Sequence, residues 1–287
     1  MRLGGFFAAQ SIEELEPLCE QLDRHGLSAV SAPGRIGEMT PDQCAAFGEE
    51  ARRLGIVVGE CGWWENMLPP DADLRSSRIE TLRGLLVRAD AMGCPCVMTL
   101  VGAHRPAQGP LMPFEWMYTP ECKDQFREVV LRVLDGLDLK VARYCIEPWP
   151  TNFFYKPETI REFMDRVDHP RFGLHLDQMN MVSWETFYDT TGLIEQTFEL
   201  LSDRVASVHL KDVAWDQHFM FIKWDEVLVG DGVMDYTTLL RKLAGLDADL
   251  PCFCEHLAGE DQYAENFRRL HERADAAGVP FRRRTPC

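Results

Sequence analysis

No uninterrupted apolar run in this sequence reaches about 18 residues, the length a membrane helix needs, so no membrane partner is expected. The amino-terminal stretch MRLGGFFAAQ runs into SIEELEPLCE without the apolar core of a signal peptide, which predicts a cytoplasmic protein. Basic residues are scarce: 30 Lys and Arg stand against 46 Asp and Glu, for a formal charge of -16. Such a chain repels nucleic-acid phosphates unless a local patch overrides the field, and the one basic cluster, Arg282-Arg283-Arg284, sits in the last residues. Nucleic acid is not an expected partner. Cys-x2-Cys spacing is also missing. The ten cysteines are scattered, many within strand-like runs, and both Cys94-Pro95-Cys96 and Cys252-Phe253-Cys254 have one intervening residue, so buried reduced thiols are expected rather than a zinc knuckle or disulfide scaffold. No glycine-rich anion loop is evident, no low-complexity segment interrupts the chain, and no flexible linker divides it.

What the sequence does contain is alternation. Short runs rich in β-formers recur at residues 2–8, 26–32, 55–61, 94–102, 141–148, 171–177, 205–212 and 251–257, with longer amphipathic stretches between them. Several of those stretches open on a cap signal: Ser11, Thr40 followed by Pro41, and Lys156 followed by Pro157. Gly26, Gly55 and Gly93 fall where helices should end. Eight strand-and-helix units in 287 residues predict an α/β fold, a single (β/α)8 TIM barrel over 1–287. Two strand-to-helix connections, 103–120 and 213–236, are unusually long and rich in aromatic residues, which suits a lid over the active-site mouth or a homo-oligomer contact.

In a barrel, residues at the carboxyl ends of the strands converge on one mouth. Four consecutive strand candidates carry Glu147, Asp177, His209 and Glu255 at or near their carboxyl ends. Three carboxylates and an imidazole without thiolates form an oxygen and nitrogen donor set for one divalent ion, Mn2+ first, with Mg2+ or Co2+ as alternatives. The segments CIEPWP, LHLDQMN, SVHLKD, GDGVMDY and CEHL, taken in strand order along nearly the whole chain, resemble the xylose isomerase-like barrels that include sugar isomerases and epimerases of the tagatose 3-epimerase type. The resemblance implies Glu147, Asp177, His209 and Glu255 as metal ligands, with Glu147 and Glu255 as the catalytic pair that moves protons. It implies a divalent-metal-dependent sugar isomerase or epimerase working on a small ketose or keto-sugar through an enediolate.

The sequence departs from that family at two places. Asn180 stands where epimerases carry a histidine three residues after the metal aspartate, and an amide can donate to an oxygen but cannot shuttle a proton. The family's substrate-holding arginine is missing from the stretch Lys211 to Trp215. These departures raise an alternative on the same barrel: a lyase, acting as a dehydratase, an oxo-sugar-acid decarboxylase or a 3-keto-glycoside deglycosidase. A repair endonuclease would need a histidine-rich metal cluster and a positive surface, which Asn180 and the net charge oppose.

Further substrate-binding candidates are Asn180, Lys211, Trp149, His175 and His104. His175 and Lys211 lie two residues from Asp177 and His209 and should share their inward face. Trp149 can stack on a sugar, and His104 follows the fourth strand. His256 should point away toward the helices. GDGVMDY is expected to turn the chain into the last helix, with Asp235 as cap. With no anion loop, an unphosphorylated small-molecule sugar is the expected substrate.

Overall fold

The computed structural model describes residues 1–103, 113–218 and 223–285. Among the described residues there are ten strands: β1 (Arg2–Gly4), β2 (Ala29–Ser31), β3 (Val57–Asn66), β4 (Cys96–Leu100), β5 (Arg143–Ile146), β6 (Phe172–Asp177), β7 (Val205–His209), β8 (Asp212–Trp215), β9 (Trp224–Val227) and β10 (Pro251–Phe253). Eight of them form one parallel sheet in the order β1-β10-β7-β6-β5-β4-β3-β2. The sheet curls until its two edges meet, where the Ser28 amide donates to the Leu3 carbonyl at 2.9 Å. Eight parallel strands ringed by helices make this a (β/α)8 barrel, as the alternation predicts. β4 and β6 are buried along their whole length, since one face packs inside the barrel and the other beneath helices.

The helices are α1 (Leu15–Arg24), α2 (Pro41–Arg53), α3 (Ala72–Met92), α4 (Pro120–Leu134), α5 (Pro157–Val167), α6 (Thr190–Leu201), α7 (Tyr236–Ala244) and α8 (Gly259–Ala276). Thr40 builds a complete capping box with Gln43 ahead of α2: its hydroxyl accepts from the Gln43 amide at 3.2 Å, and its amide donates to the Gln43 side chain at 2.8 Å. Ser11 precedes a short 3-10 turn rather than α1, and its side chain makes no cap bond. Gly93 ends α3 at φ 80, a left-handed conformation that glycine adopts without a Cβ penalty. Around β5 and β6 the shell is aromatic. Phe126, Phe153, Phe154, Phe163 and Phe172 meet ring to ring, and each fully buried ring of this kind stabilises the fold by roughly 1.5–3 kcal/mol.

Strand boundaries differ from the expectation in instructive ways. β1 stops at Gly4 because Gly5 and Phe6 turn to φ 130 and φ 59, outside the extended region. β3 runs on to Asn66, five residues beyond its predicted end. The stretch predicted as strand seven breaks after His209, and the chain then leaves the barrel in an antiparallel hairpin of β8 and β9. The segment 213–236 therefore carries strand structure within it rather than being a simple loop. GDGVMDY leads into α7, with the Asp235 carboxylate accepting from the Thr238 amide at 3.1 Å; α7 is the penultimate helix, since α8 follows it. All nine cysteines among the described residues are free and buried. Among the described residues no helix is long and apolar enough to cross a membrane.

Candidate metal centre at the carboxyl mouth

Parallel strands place their carboxyl ends together, and here that geometry gathers four side chains from β5 to β10. Ligand atoms of Glu147, Asp177, His209 and Glu255 all lie within 4.8 Å of one another. A divalent ion with oxygen and nitrogen ligands at about 2.0–2.3 Å accepts separations up to roughly 4.5 Å, so this set fits one cation after small side-chain adjustments. His209 is the hub. Its Nδ1 lies 2.9 Å from Glu255 Oε1, 3.3 Å from Glu147 Oε1 and 3.9 Å from Asp177 Oδ2.

The segment after β6 shows why a buried strand ends in a carboxylate and amides. Alternation points Asp177 inward and Gln178 outward, where the Gln178 amide donates to Thr197 Oγ1 of α6 at 3.2 Å. A 3-10 turn then brings Asn180 back over the site. Its backbone amide donates to Asp177 Oδ1 at 3.1 Å and its side-chain amide donates to Glu147 Oε1 at 3.2 Å. Asn180 thus ties two of the acids together.

Lys211 sits just past β7 and is 5% exposed, so its charge is withdrawn from water. Its Nζ lies 2.8 Å from Asp177 Oδ2 and 4.0 Å from Glu147 Oε1, and it contacts Glu255 Oε1. The Asp177 contact is ionic, off the axis of a directed hydrogen bond, and Asp177 Oδ2 keeps no hydrogen-bond donor of its own. The ammonium therefore answers part of the cage's negative charge and leaves a buried carboxylate oxygen to fit a cation.

The two glutamates are pushed in opposite directions. Burial raises the Glu147 pKa to about 7, more than its His209 neighbour lowers it. Burial also acts on Glu255, but the hydrogen bond from His209 and the Lys211 ammonium outweigh it and hold this carboxyl well below the usual range. Burial opposes a charged His209, yet hydrogen bonds to Glu147, Glu255 and Glu60 raise its pKa well above that of a free imidazole.

Glu60 was not among the sequence candidates. It lies 8% exposed inside β3, with Oε2 3.5 Å from His209 Nε2 and Oε1 accepting from the Ser31 hydroxyl at 3.1 Å. The available signal was a lone acid two residues beyond Val58 in an apolar strand. His175, also predicted to face inward, lies fully buried behind His209, with ring centroids 4.0 Å apart and Nδ1 hydrogen-bonded to Ser207 Oγ. Burial and the neighbouring His209 lower its pKa well below the usual value, so it is neutral. Glu60, His175 and His209 form a second potential ligand group that shares His209 with the first.

Trp149 is half-buried two residues beyond Glu147. His104 lies outside the described residues. His256 departs from the expectation: it is half-exposed at φ 59 and pairs with Glu226 of β9 at 3.1 Å instead of facing the helices. A left-handed residue just after the short β10 breaks the strand alternation on which that expectation rested. Glu226 lies 4.0 Å from Lys211, and a pocket of about 250 Å3 lined by Lys211, Glu226, Glu255 and His256 opens beside the cage.

Comparison with known proteins is consistent with this geometry. The family described as xylose isomerase-like TIM barrel matches residues 13–280. No curated protein sequence matches the chain. Among solved structures, a xylose isomerase-like TIM barrel protein from Mycobacterium smegmatis in complex with magnesium is similar, with a TM-score of 0.67 at 16% identity over 93% of this chain and 90% of that one. A D-psicose 3-epimerase determined in the presence of D-fructose gives a TM-score of 0.65 at 13% identity, covering 96% and 99%. The probable 3-DHS dehydratase AsbF of petrobactin synthesis from Bacillus anthracis gives 0.62 at 13% identity, covering 89% and 92%. At these identities the likeness is one of fold.

Proposed function

The chain belongs to the xylose isomerase-like TIM barrel family, and from that premise we propose that it is a divalent-metal-dependent isomerase or epimerase of a small ketose or keto-sugar. The observation that carries the reading is the convergence of Glu147, Asp177, His209 and Glu255 within 4.8 Å at the carboxyl mouth. These four residues would hold the cation, Mn2+ or its hard neighbours Mg2+ and Co2+. When bound, it supplies Lewis acidity against the negative charge that grows on the substrate's oxygens.

The chain's own residues do the proton work. One of Glu147 and Glu255 removes the proton beside the carbonyl, and the other returns a proton to the resulting enediolate, at the same carbon for an epimerase or at the neighbouring one for an isomerase. Two carboxyls whose environments drive them apart, one toward neutrality and one toward a firm anion, suit this division of labour. Asn180 fixes Glu147 through Oε1 and leaves Oε2 for the proton. Lys211 offers its ammonium to a substrate oxygen, and Trp149 a face for the sugar ring.

A second reading is elimination on the same site by a dehydratase, decarboxylase or deglycosidase. It is favoured by Asn180, whose amide is committed to Glu147 and cannot serve as a second proton carrier at the sugar. Incubating the protein with ketoses and 3-keto sugars in D2O, with Mn2+ and after chelation, separates the two by NMR. Metal-dependent deuterium incorporation with return to an isomer supports the first reading; release of water, carbon dioxide or an aglycone replaces it with the second. No exchange with any substrate would overturn both.

A further inference from the structure

A pocket opens at the opposite mouth of the barrel, at the amino ends of β3, β5, β7 and β10. It measures about 490 Å3, within the range of small-molecule sites. In a chain of charge -16, its walls gather Arg52, Lys140, Arg143 and Arg171. Two acids share the lining, Asp247 and Asp249, and Asp249 is already paired with Arg2 and Arg282 at 2.7 Å each.

Strand alternation explains the arrangement. Along β5, Arg143, Cys145 and Glu147 share one face, and the inward-pointing Glu147 fixes that face as the barrel's interior. Four residues of strand separate Arg143 from Glu147 by about 13 Å. Between them lies an interior cluster of Cys96, Met98, Cys145 and Ala206. Arg171, immediately before β6, has the same parity as His175 and Asp177 and enters from the neighbouring strand. Gly173 makes room for Arg143: a Cβ there would come 2.9 Å from Cys145 Sγ and 3.2 Å from Arg143 Cδ.

Arg143 is half-buried, and its guanidinium has no hydrogen bond or ion pair among the described residues. Arg171 spends one nitrogen on the Lys140 carbonyl at 2.8 Å and makes no ion pair there. Two like charges side by side in a partly desolvated pocket are unfavourable without a counter-charge. A guanidinium fork is a ready partner for a planar or tetrahedral oxyanion.

We propose that this amino-end pocket binds a small organic oxyanion, a carboxylate or a phosphoryl group, on Arg143 and Arg171, at a site separate from the carboxyl-mouth metal centre. Its apolar wall, which includes Met92, Val205 and Leu250, takes the carbon body of the ligand.

The test is calorimetric titration of the full-length protein in the presence of Mg2+ with inorganic phosphate and, separately, with succinate, at constant ionic strength set by chloride. Saturable binding of either probe is expected, and which one binds identifies the source of the oxyanion. Arg143→Met should weaken it at least tenfold while leaving the ligand-free Tm unchanged or higher, since the arginine has no partner to lose. Arg171→Met is expected to behave likewise and carries the test if the first variant does not fold. Glu147→Gln should bind the probe like the parent protein. Absence of saturable binding of both probes would overturn the proposal, as would undiminished binding in the arginine variants or loss of binding in Glu147→Gln.

Discussion

Glu60 Oε2 stands 3.5 Å from His209 Nε2, on the side of the imidazole opposite the three acids that surround Nδ1. At that distance the contact is one of charge, and it favours a proton on Nε2 while Nδ1 faces the three acids. Acids and carbonyls placed behind a ligating histidine in this way commonly govern metal affinity by 10- to 100-fold. Glu60→Gln is accordingly expected to weaken Mn2+ binding by about one to two orders of magnitude, measured by calorimetry. Unchanged affinity would assign Glu60 to packing alone.

Glu147→Gln and Glu255→Gln should each reduce metal-dependent deuterium exchange by about 10^2-fold or more, the usual scale for removing a positioned acid or base. Thermal unfolding supplies the control. Because glutamine keeps the volume and an acceptor oxygen, the fold should survive both changes, and exchange at the parent rate in either variant would rule out the paired-base scheme.

Lys211 is the one ammonium inside the acid cage among the described residues, 2.8 Å from Asp177. Burial alone would lower its pKa, but Asp177 and Glu255 outweigh burial and raise it, so the charge is kept. Replacing it by methionine removes the partner of buried carboxylates, a change that typically costs about 3–5 kcal/mol. The Lys211→Met protein is expected to melt earlier and to regain much of the loss on adding Mn2+, which takes up the same negative charge. Equal melting temperatures for parent and variant in chelator would contradict this.

Much of this site was legible because strand ends are legible. Glu147, Asp177, His209 and Glu255 each close an apolar run of period two, and a parallel barrel converts that local position into proximity. Glu60 escaped because its run was read as closing on Cys61, one residue later, whereas β3 continues to Asn66 and the acid falls mid-strand. The β8–β9 hairpin escaped for another reason. Its pairing of Trp215 with Trp224 spans residues without a short glycine turn, leaving no local signal that the chain doubles back. His256 was misplaced because alternation stops at a left-handed residue, which the sequence does not mark.

GDGVMDY also proves to have a specific task. The buried Asp212 carboxylate accepts from four backbone amides, Val213 at 2.9 Å, Gly230 at 2.8 Å, Gly232 at 3.2 Å and Met234 at 3.0 Å. Any Cβ at Gly232 would lie 2.2 Å from Asp212 Oδ1, so the glycine is required for this wrap. Asp212→Ala leaves those donors without an acceptor and is expected to cost about 3–5 kcal/mol. In a chain of this size that corresponds to a Tm loss of roughly 10 °C. Asp212→Asn should lose less, because burial raises the carboxyl's pKa despite its backbone bonds and the neutral amide escapes that cost. Calorimetric scans of both variants check the order.

The hairpin carries its own acid-sensitive tie. Asp216 accepts from Lys223 Nζ at 2.8 Å and from the His218 amide at 3.0 Å, directly beyond the Trp215–Trp224 pair. The Lys223 bond, with the backbone bond from His218, lowers the Asp216 pKa from 3.8 to about 2. A carboxyl whose folded pKa is depressed contributes stability that is present above its unfolded pKa and lost as pH falls through the folded one. The tie should therefore hold the hairpin at pH 4 and above and release it as pH falls toward 2. Trp215 and Trp224 report this through their fluorescence. Asp216→Asn should remove the parent's step in that window while leaving the spectrum at pH 7 close to the parent's. A step of equal size in the variant would place the acid response in the barrel and not in the hairpin.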